Sequence, residues 1–448
     1  MMAMDVDVAV VGGGACGTMT ALRAARDPDL TVAVFEKSLN EGCNAQISSG
    51  SLAAGGTRFQ REAGIEDSPD RHAAEILAAS GDDAISDVVL AVCRSAPRYV
   101  EWMADELGYP IELGTDMPRA GMSVPRLHTD VGRRGGQRLM RHLRGALNRL
   151  DNVAFVDRAP VVGLLSGTSG VEGVAVSQNG MSSEVRARHV VLACDGFGAN
   201  PSLMREHCAE LGRPFYGGVS TSTGDALAWL TELGAAVRNM GSCLRHGLVV
   251  VGHGTRLNPA LPFMGAALLR PDGKRFIMET SLGYSALAAV LQHEVGERAL
   301  LVWDEQAMTQ VMRSELMRES AKAGAFRRYP DEESLTGALA LPPEAVRSSL
   351  SNVADGRSLA APLYAAWVTH GVLATQGGAM VDVEGRVLTQ RGDVIRGLRA
   401  GGGTAAGFAG PSSSGYSSGN GLLSAFGMGW RIGNALAEQS GSGRSCVR

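Results

Sequence analysis

Residues 6–17 read Val-Asp-Val-Ala-Val-Val-Gly-Gly-Gly-Ala-Cys-Gly, and residues 31–36 read Thr-Val-Ala-Val-Phe-Glu. The apolar run at 6–11 predicts a buried strand, and the stretch from Thr18 to Arg26 has a helical texture. A second apolar run follows and ends on an acid, Glu36. Strand, glycine-rich turn, helix, strand and acid, in that order, form a β-α-β dinucleotide fingerprint. Gly12 permits the tight turn. Gly14 lets the backbone approach a pyrophosphate at the helix N-terminus, where free N–H groups and the helix dipole favour anions. Gly17 lets helix and strand pack closely, and Glu36 is placed to accept ribose hydroxyls.

The rest of the chain is long enough to surround such a site. At 448 residues it predicts two domains or one elaborated domain. Hydrophobic residues make up 45% and charged residues 20%, as in globular proteins, and the net charge of −4 argues against a nucleic-acid partner. Seven cysteines without a CxxC spacing argue against a disulfide framework or a metal site and predict a reducing, cytoplasmic setting. The N-terminus enters the first strand at once, which leaves no room for a signal peptide. No 18-residue uncharged apolar run predicts a membrane span.

Farther along, 68–108 and Gly135 to Leu150 read as amphipathic helices, with Arg133-Arg134 a solvated charge pair. Val153 to Phe155, Val161 to Leu165 and Val171 to Val176 read as a small β-meander, and Val190 to Cys194 as a buried strand. The middle region has another texture: strands at Leu248–Val251 and Leu300–Trp303, helices at Ser285–Glu294 and Gln306–Glu319, and a Pro-Pro turn at 342–343. Glycine clusters return at Gly377-Gly378, Gly401-Gly402-Gly403 and Gly415 to Gly421. The tail from Gln439 to Arg448 reads as loose. These textures predict a discontinuous nucleotide domain, 1–235 and 356–448, flanking a cap or substrate domain at 236–355.

Several segments together resemble the fumarate reductase/succinate dehydrogenase flavoprotein superfamily, in its 3-ketosteroid dehydrogenase-like branch. They are the fingerprint, the Asn44–Gly56 loop, Val190 to Gly198, Thr223-Gly224-Asp225, Gly273-Lys274-Arg275-Phe276, Gln376-Gly377-Gly378 and Leu398 to Gly403. The resemblance implies an α/β fold: a glutathione-reductase-like Rossmann FAD-binding domain, parallel sheet plus β-meander, with an inserted α+β cap. It implies FAD as the cofactor. Gly12, Gly14, Ala15 and Cys16 would meet the pyrophosphate and Glu36 the adenosine ribose. Lys37, Asn44, Ser48, Ser49 and Gly50 would lie along the flavin side, Val161 beside the adenine, and Ala193 and Cys194 along the nucleotide. Asp225, Gly403, Gly421 and Leu422 would lie near the ribityl chain and flavin ring, with the N–H groups of Gly421 and Leu422 directed at the flavin. Members with covalent FAD carry a histidine where this chain has Asn44, so the FAD is expected to be non-covalent. Where the family usually reads Ala-Thr-Gly-Gly, this chain reads Ala193-Cys194-Asp195-Gly196.

The departures decide the expected substrate. Fumarate-active members place an arginine after the GKRF-like segment, a histidine pair before the Gly-Gly, and an arginine clamp near the C-terminal helix. This chain has Glu279 to Tyr284, Leu373-Ala374-Thr375-Gln376 and Tyr416 at these places. A dicarboxylate needs cationic donors, so fumarate, succinate and L-aspartate are not expected. The pattern Thr404-Ala405-Ala406-Gly407 with Gly415 to Gly419 resembles Δ4-(5α)-3-ketosteroid dehydrogenases. It implies α,β-dehydrogenation, or the reverse reduction, of an uncharged cyclic ketone or enone, 3-ketosteroid-like or a smaller polycyclic secondary metabolite. Hydride would pass between the substrate β-carbon and flavin N5. Tyr416 would polarise the carbonyl with help near Ser418, and Tyr284 would move the proton. His246, His253 and His370 are further acid–base candidates, while Lys274 and Arg275 read as fixing the cap turn. An unidentified electron acceptor is implied, and no metal. A flavin ene-reductase, a flavin oxidase and an electron-transfer subunit remain as alternatives.

Overall fold

The computed structural model describes residues 4–81, 85–115, 122–132, 135–178, 180–212, 214–295, 298–353, 356–411 and 415–444. Arg133 and Arg134 lie outside them. The strand Met4–Val11 is central in the larger sheet. It pairs in parallel with Val32–Phe35 on one side and with Met181–Leu192 on the other. Val394–Ala400 and Val153–Val156 extend the parallel order outward. Val8, Val10, Val34, Val190 and Val191 are completely buried. Each such side chain contributes about 1.5–3 kcal/mol by leaving water, which is why these runs are apolar without interruption.

Val153–Val156 corrects an expectation. It is not part of the meander but pairs in parallel with Val32–Phe35 in the main sheet. The meander consists of Val161–Gly167, Gly170–Gln178 and the first half of Met181–Leu192. The second half of that long strand enters the parallel sheet beside Met4–Val11. One strand therefore joins the two layers.

Two helices cover one another against the sheet. Ala15–Ala24 packs along the C-terminal helix Asn420–Arg444. Their backbones approach closely: a Cβ on Gly429 would lie 2.5 Å from the Cys16 carbonyl oxygen, and one on Gly433 2.6 Å from that of Thr20. Arg23 is clamped in this interface, its guanidinium 3.9 Å from the centre of the Trp430 ring and bonded to Asn434 Oδ1. The helix runs to Arg444, so the expected loose tail from Gln439 is helical through that residue.

A second sheet carries the cap. Its longest strand, Leu363–Thr375, pairs with Cys243–Val250, Ala299–Asp304, Arg327–Tyr329 and Phe215–Tyr216. Ala299–Asp304 is buried on both faces, with Leu301 and Trp303 in one core and Leu300 and Val302 in the other. The strand Leu363–Thr375 lies beyond the expected limits 236–355 and pairs with Cys243–Val250 and Ala299–Asp304, which lie within them. The single helix expected over Gln306–Glu319 is two, Glu305–Val311 and Glu315–Lys322. Asp304 caps the first by accepting the Ala307 N–H, and Ser314 caps the second through Met317. Pro343 opens the helix Pro343–Leu350, as its fixed φ suits a first helical position.

A third unit is a small sheet of Leu52–Ala53, Ile111–Leu113 and Leu127–Asp130, anchored by a buried charge cluster. Arg126 is fully buried. Its Nε and Nη2 reach Asp67 at 2.7 and 2.9 Å, and its Nη1 and Nη2 reach Glu75. Hydrogen bonds from Arg126 hold the Glu75 carboxyl down to about 2. Burial alone would raise Asp67, but Arg126 and Gln60 take it below its usual value. Beside the cluster, burial pushes both His72 and His128 down to about 4, so both rings are neutral.

Two outcomes follow for stability. Arg126→Met leaves the buried Asp67 carboxylate without its cation, while the half-buried Glu75 keeps Arg71, and should cost about 3 kcal/mol in urea unfolding; an unchanged urea midpoint would refute the anchoring role. The neutral histidines stabilise the native state fully only above their unfolded value of about 6.5, and that contribution is lost as pH falls toward about 4. Glu75 adds a further loss as pH falls from about 4.5 toward about 2. The urea midpoint should therefore drop between pH 7 and pH 5, and His128→Gln should flatten that dependence. A midpoint that rises on acidification contradicts this assignment.

Candidate functional site

The glycine-rich turn lies where three backbones converge. Gly12 has φ 98°, and its N–H donates to the Phe35 carbonyl at 2.9 Å. A Cβ on Gly12 would stand 2.4 Å from the Ala193 oxygen, and one on Gly17 1.9 Å from the Gly12 oxygen. These two glycines are required by the protein itself. Gly14 differs. Its φ is −72°, and the nearest atom to a Cβ there is Cys43 Cβ at 3.7 Å. What a side chain at 14 would fill is the open space of the cleft, at the N-terminus of the helix Ala15–Ala24. This is the cradle that a pyrophosphate needs.

From this turn an elongated cleft runs to the start of the C-terminal helix. Of the expected cofactor residues, Gly12, Gly14, Ala15, Cys16, Glu36, Lys37, Asn44, Ser48, Val161, Ala193, Cys194, Asp225, Gly403, Gly421 and Leu422 line it. Glu36, 8% exposed, accepts the Gly13 N–H at 2.8 Å through Oε2 and the Ser38 N–H at 2.9 Å through Oε1. Lys37 Nζ donates to Asp225 at 2.8 Å and to Thr223 at 2.7 Å, so the cation and the acid fix each other. Asn44 Oδ1 accepts the Val219 N–H at 3.0 Å, and its Nδ2 donates to Asp195 at 2.7 Å. The thiols of Cys16 and Cys194 are pushed up to about 12 by burial, so each is a neutral, apolar piece of wall.

Two expected contacts fall elsewhere. Gly50 lines neither cavity. A Cβ there would lie 2.7 Å from the Gly135 carbonyl carbon, so this glycine serves close packing under the helix Gly135–Leu147, and its φ is 69°. Ser49 faces the second cavity and donates to Ser51 Oγ at 3.0 Å. Gly421 also departs from expectation. Its N–H donates to Tyr416 Oη at 2.9 Å rather than standing open toward the cleft.

The second cavity, about 1340 Å³, opens beside the far end of the cleft. The two spaces share Ile47, Leu244, Arg256, Leu373, Tyr416 and Leu422 in their walls. Leu244 and Arg256 thus face Tyr416 and Leu422 there. Tyr416 stands at the junction, and Ser418 lines the second cavity. Tyr284 is the first residue of the helix Tyr284–Glu294; its side chain lies outside the described residues.

The structure separates the three candidate histidines and adds one residue. His246 lines the second cavity, whereas His253 and His370 are in neither wall. Burial pushes His246 down to about 3, and its Nδ1 accepts the Leu248 N–H at 3.1 Å. The ring proton therefore sits on Nε2. Arg256, which sequence reasoning missed, donates from Nη2 to the Ile47 carbonyl at 2.6 Å. Its backbone oxygen accepts from Ser320 Oγ at 2.9 Å. It ties the cap to the Asn44–Gly56 loop. No local pattern marked it, because the contact joins positions more than two hundred residues apart. Arg275 does hold the cap turn, through Glu279 and the Asn352 carbonyl. Among the described residues no group of His, Cys, Asp and Glu is arranged to hold a metal, and no helix is long and apolar enough to cross a membrane.

The arrangement suits FAD: a pyrophosphate cradle at one helix N-terminus, an acid at the end of the second strand, and a long cleft reaching a second helix N-terminus. Comparison with known proteins agrees. The FAD binding domain family matches residues 7–421. The chain is 27% identical over 418 residues to the NADH:fumarate oxidoreductase of Klebsiella pneumoniae, covering 88% of this chain but only 44% of that protein. It is 28% identical over 421 residues to the fumarate reductase (cytochrome) of Shewanella frigidimarina, covering 88% and 71%. The fold is also that of 3-ketosteroid-Δ4-(5α)-dehydrogenase from Rhodococcus jostii RHA1, with TM-score 0.75, 23% identity and 97% of both chains covered. This chain belongs to the FAD binding domain family, and it is an FAD-dependent oxidoreductase.

Proposed function

We propose that the protein catalyses α,β-dehydrogenation, or the reverse reduction, of a cyclic ketone or enone held in the second cavity. One observation carries this reading: Tyr416 occupies the wall common to the cofactor cleft and that cavity, with its oxygen fixed by the Gly421 N–H. Bound FAD supplies the hydride acceptor or donor. The residues of the chain supply the rest. A tyrosine hydroxyl both accepts and donates, and the N–H that Oη accepts from Gly421 polarises its O–H. Directed at a ketone, it would stabilise the charge that gathers on oxygen as the α-proton leaves. Ser418, in the same wall, is assigned a supporting hydrogen bond, and Tyr284 at the start of its helix is assigned the proton transfer. The volume of the cavity admits a polycyclic substrate, and Leu244, Leu316, Leu373 and Leu422 offer it apolar surface.

The cofactor is proposed to be held without a covalent link. Asn44 has no nucleophilic nitrogen, and its amide is engaged on both sides by Val219 and Asp195. A second reading has one specific support. Arg256 and His246 stand in the cavity wall, and Arg256 bears on the electrostatics of His246. The relatives at 27–28% identity are fumarate reductases by name. Reduction of a small unsaturated carboxylate is therefore the alternative, with Arg256 as its anion contact.

Anaerobic mixing separates the readings. Bleaching of the oxidised flavin by saturated 3-ketosteroids or smaller cyclic ketones supports the ketone reading. Reoxidation of the reduced flavin by fumarate or acrylate, with no response to any ketone or enone, overturns it. For an active ketone, Tyr416→Phe should lower turnover by about 10²-fold or more with FAD still bound; near-normal turnover removes Tyr416 from the chemistry. Acid precipitation should release the yellow cofactor entirely into the supernatant, whereas colour retained in the pellet would reveal a covalent bond.

A further inference from the structure

Four described residues other than glycine have a positive φ, and one of them, Asp195 at 69°, stands inside the cofactor cleft. Glycine adopts this conformation freely, while a side chain adopts it at a cost. A carboxylate therefore stands on backbone that glycine adopts most freely. Aspartate is among the side chains that enter this region most readily, because it can hydrogen-bond locally.

The carboxylate is held in place. Oδ2 accepts from Asn44 Nδ2 at 2.7 Å and from Ser222 Oγ at 2.5 Å. The Asp195 carbonyl accepts from Thr404 Oγ1 at 3.1 Å. Oδ1 is turned toward Gly403, where an added Cβ would lie 2.2 Å from it. The other two acids of the cleft are accounted for differently. Asp225 is matched by Lys37, and Glu36 accepts two backbone N–H groups beside the glycine-rich turn. Asp195 has neutral donors, and among the described residues it forms no ion pair. Its charge is felt nearby. Burial pushes the Tyr216 phenol up to about 12, and Asp195 adds to that rise.

We infer that Asp195 is a tuning residue for the flavin: a carboxylate fixed by neutral donors between Asn44 and Gly403, whose charge lowers the midpoint potential of bound FAD. Reduction adds negative charge to the flavin, and a carboxylate close by opposes it. Asp195 is half-buried, so such an interaction is damped less than it is in bulk solvent. The placement explains why the hydrogen-bond partners are neutral. Asn44 and Ser222 orient the carboxylate without cancelling its charge, as a lysine would. Asp195 is a positioning and tuning group, acting on the cofactor rather than on substrate.

The test is the midpoint potential of the holoenzyme, measured anaerobically against reference dyes with no substrate present. Asp195→Asn keeps an acceptor oxygen for Asn44 and Ser222 and removes the charge. Its potential should move in the positive direction by about tenfold or more in the two-electron equilibrium, about 30 mV for each tenfold. A potential equal to that of the parent overturns the inference. Should Asp195→Asn not retain FAD, Asp195→Gly decides, since glycine is the residue best suited to that backbone. A positive shift supports the inference, and an unchanged potential overturns it. Because no ketone or carboxylate enters the measurement, its result stands apart from the choice of substrate.

Discussion

Everything in the cofactor half of the molecule depends on a close approach of backbones at Gly12, Gly17 and Ala193. The first strand ends, the helix begins, and the strand Met181–Leu192 arrives beside them with no space for a side chain at 12 or 17. That contact sets the register of the three parallel strands at their carboxyl ends. It also points the N-terminus of the first helix into the cleft. Gly14, which the protein does not crowd, leaves the opening that a pyrophosphate enters. The cleft is thus a product of packing, and the chemistry of its ligand follows from the direction of the backbone N–H groups.

A second constraint joins the two sheets. The strand Leu363–Thr375 is the spine of the second sheet, yet its last residue reaches the segment that follows Met181–Leu192. Thr375 Oγ1 accepts the Phe197 N–H at 3.1 Å, and a Cβ on Gly196 would stand 2.0 Å from that oxygen. Leu373 and Gln376 beside it line the cleft. The cap is therefore rooted at the same corner as Asp195, so its position is coupled to the cofactor wall. On the opposite side, Arg256 reaches the Ile47 carbonyl. Between these two ties lies the cavity in which Tyr416 and Leu422 meet Leu244 and Arg256.

The cleft also shows how charge is distributed around a dianionic ligand in a chain of net charge −4. Helix N-termini and backbone N–H groups supply the positive potential, and Lys37 is committed to Asp225. Arg144 stands behind the turn, donating to the Gly13 carbonyl at 3.1 Å. Gly13 is thereby gripped from both sides, by Glu36 at its N–H and by Arg144 at its oxygen. The glycine-rich turn is rigid for electrostatic as well as steric reasons.

The linear sequence determined the dinucleotide half almost completely. An apolar run, three glycines at fixed spacing and a terminal acid are local signals, and each has one structural meaning because sterics and hydrogen bonding act over a few residues. The same locality explains what was misread. Val153–Val156 has the composition of a meander strand, and only its parallel partner Val32–Phe35 shows where it belongs. Gln306–Glu319 has helical periodicity throughout, but the cap at Ser314 divides it. Gly50 and Gly403 look alike in sequence, yet one packs against Gly135 and the other faces the cleft. The junction of the two cavities was decided by tertiary structure alone. Tyr416, Asp195 and the pair His246 and Arg256 come from three distant segments, and which of them share a wall depends on how two sheets meet. No local rule of spacing carries that information, because the forces that fix it act between surfaces formed only after the chain has folded.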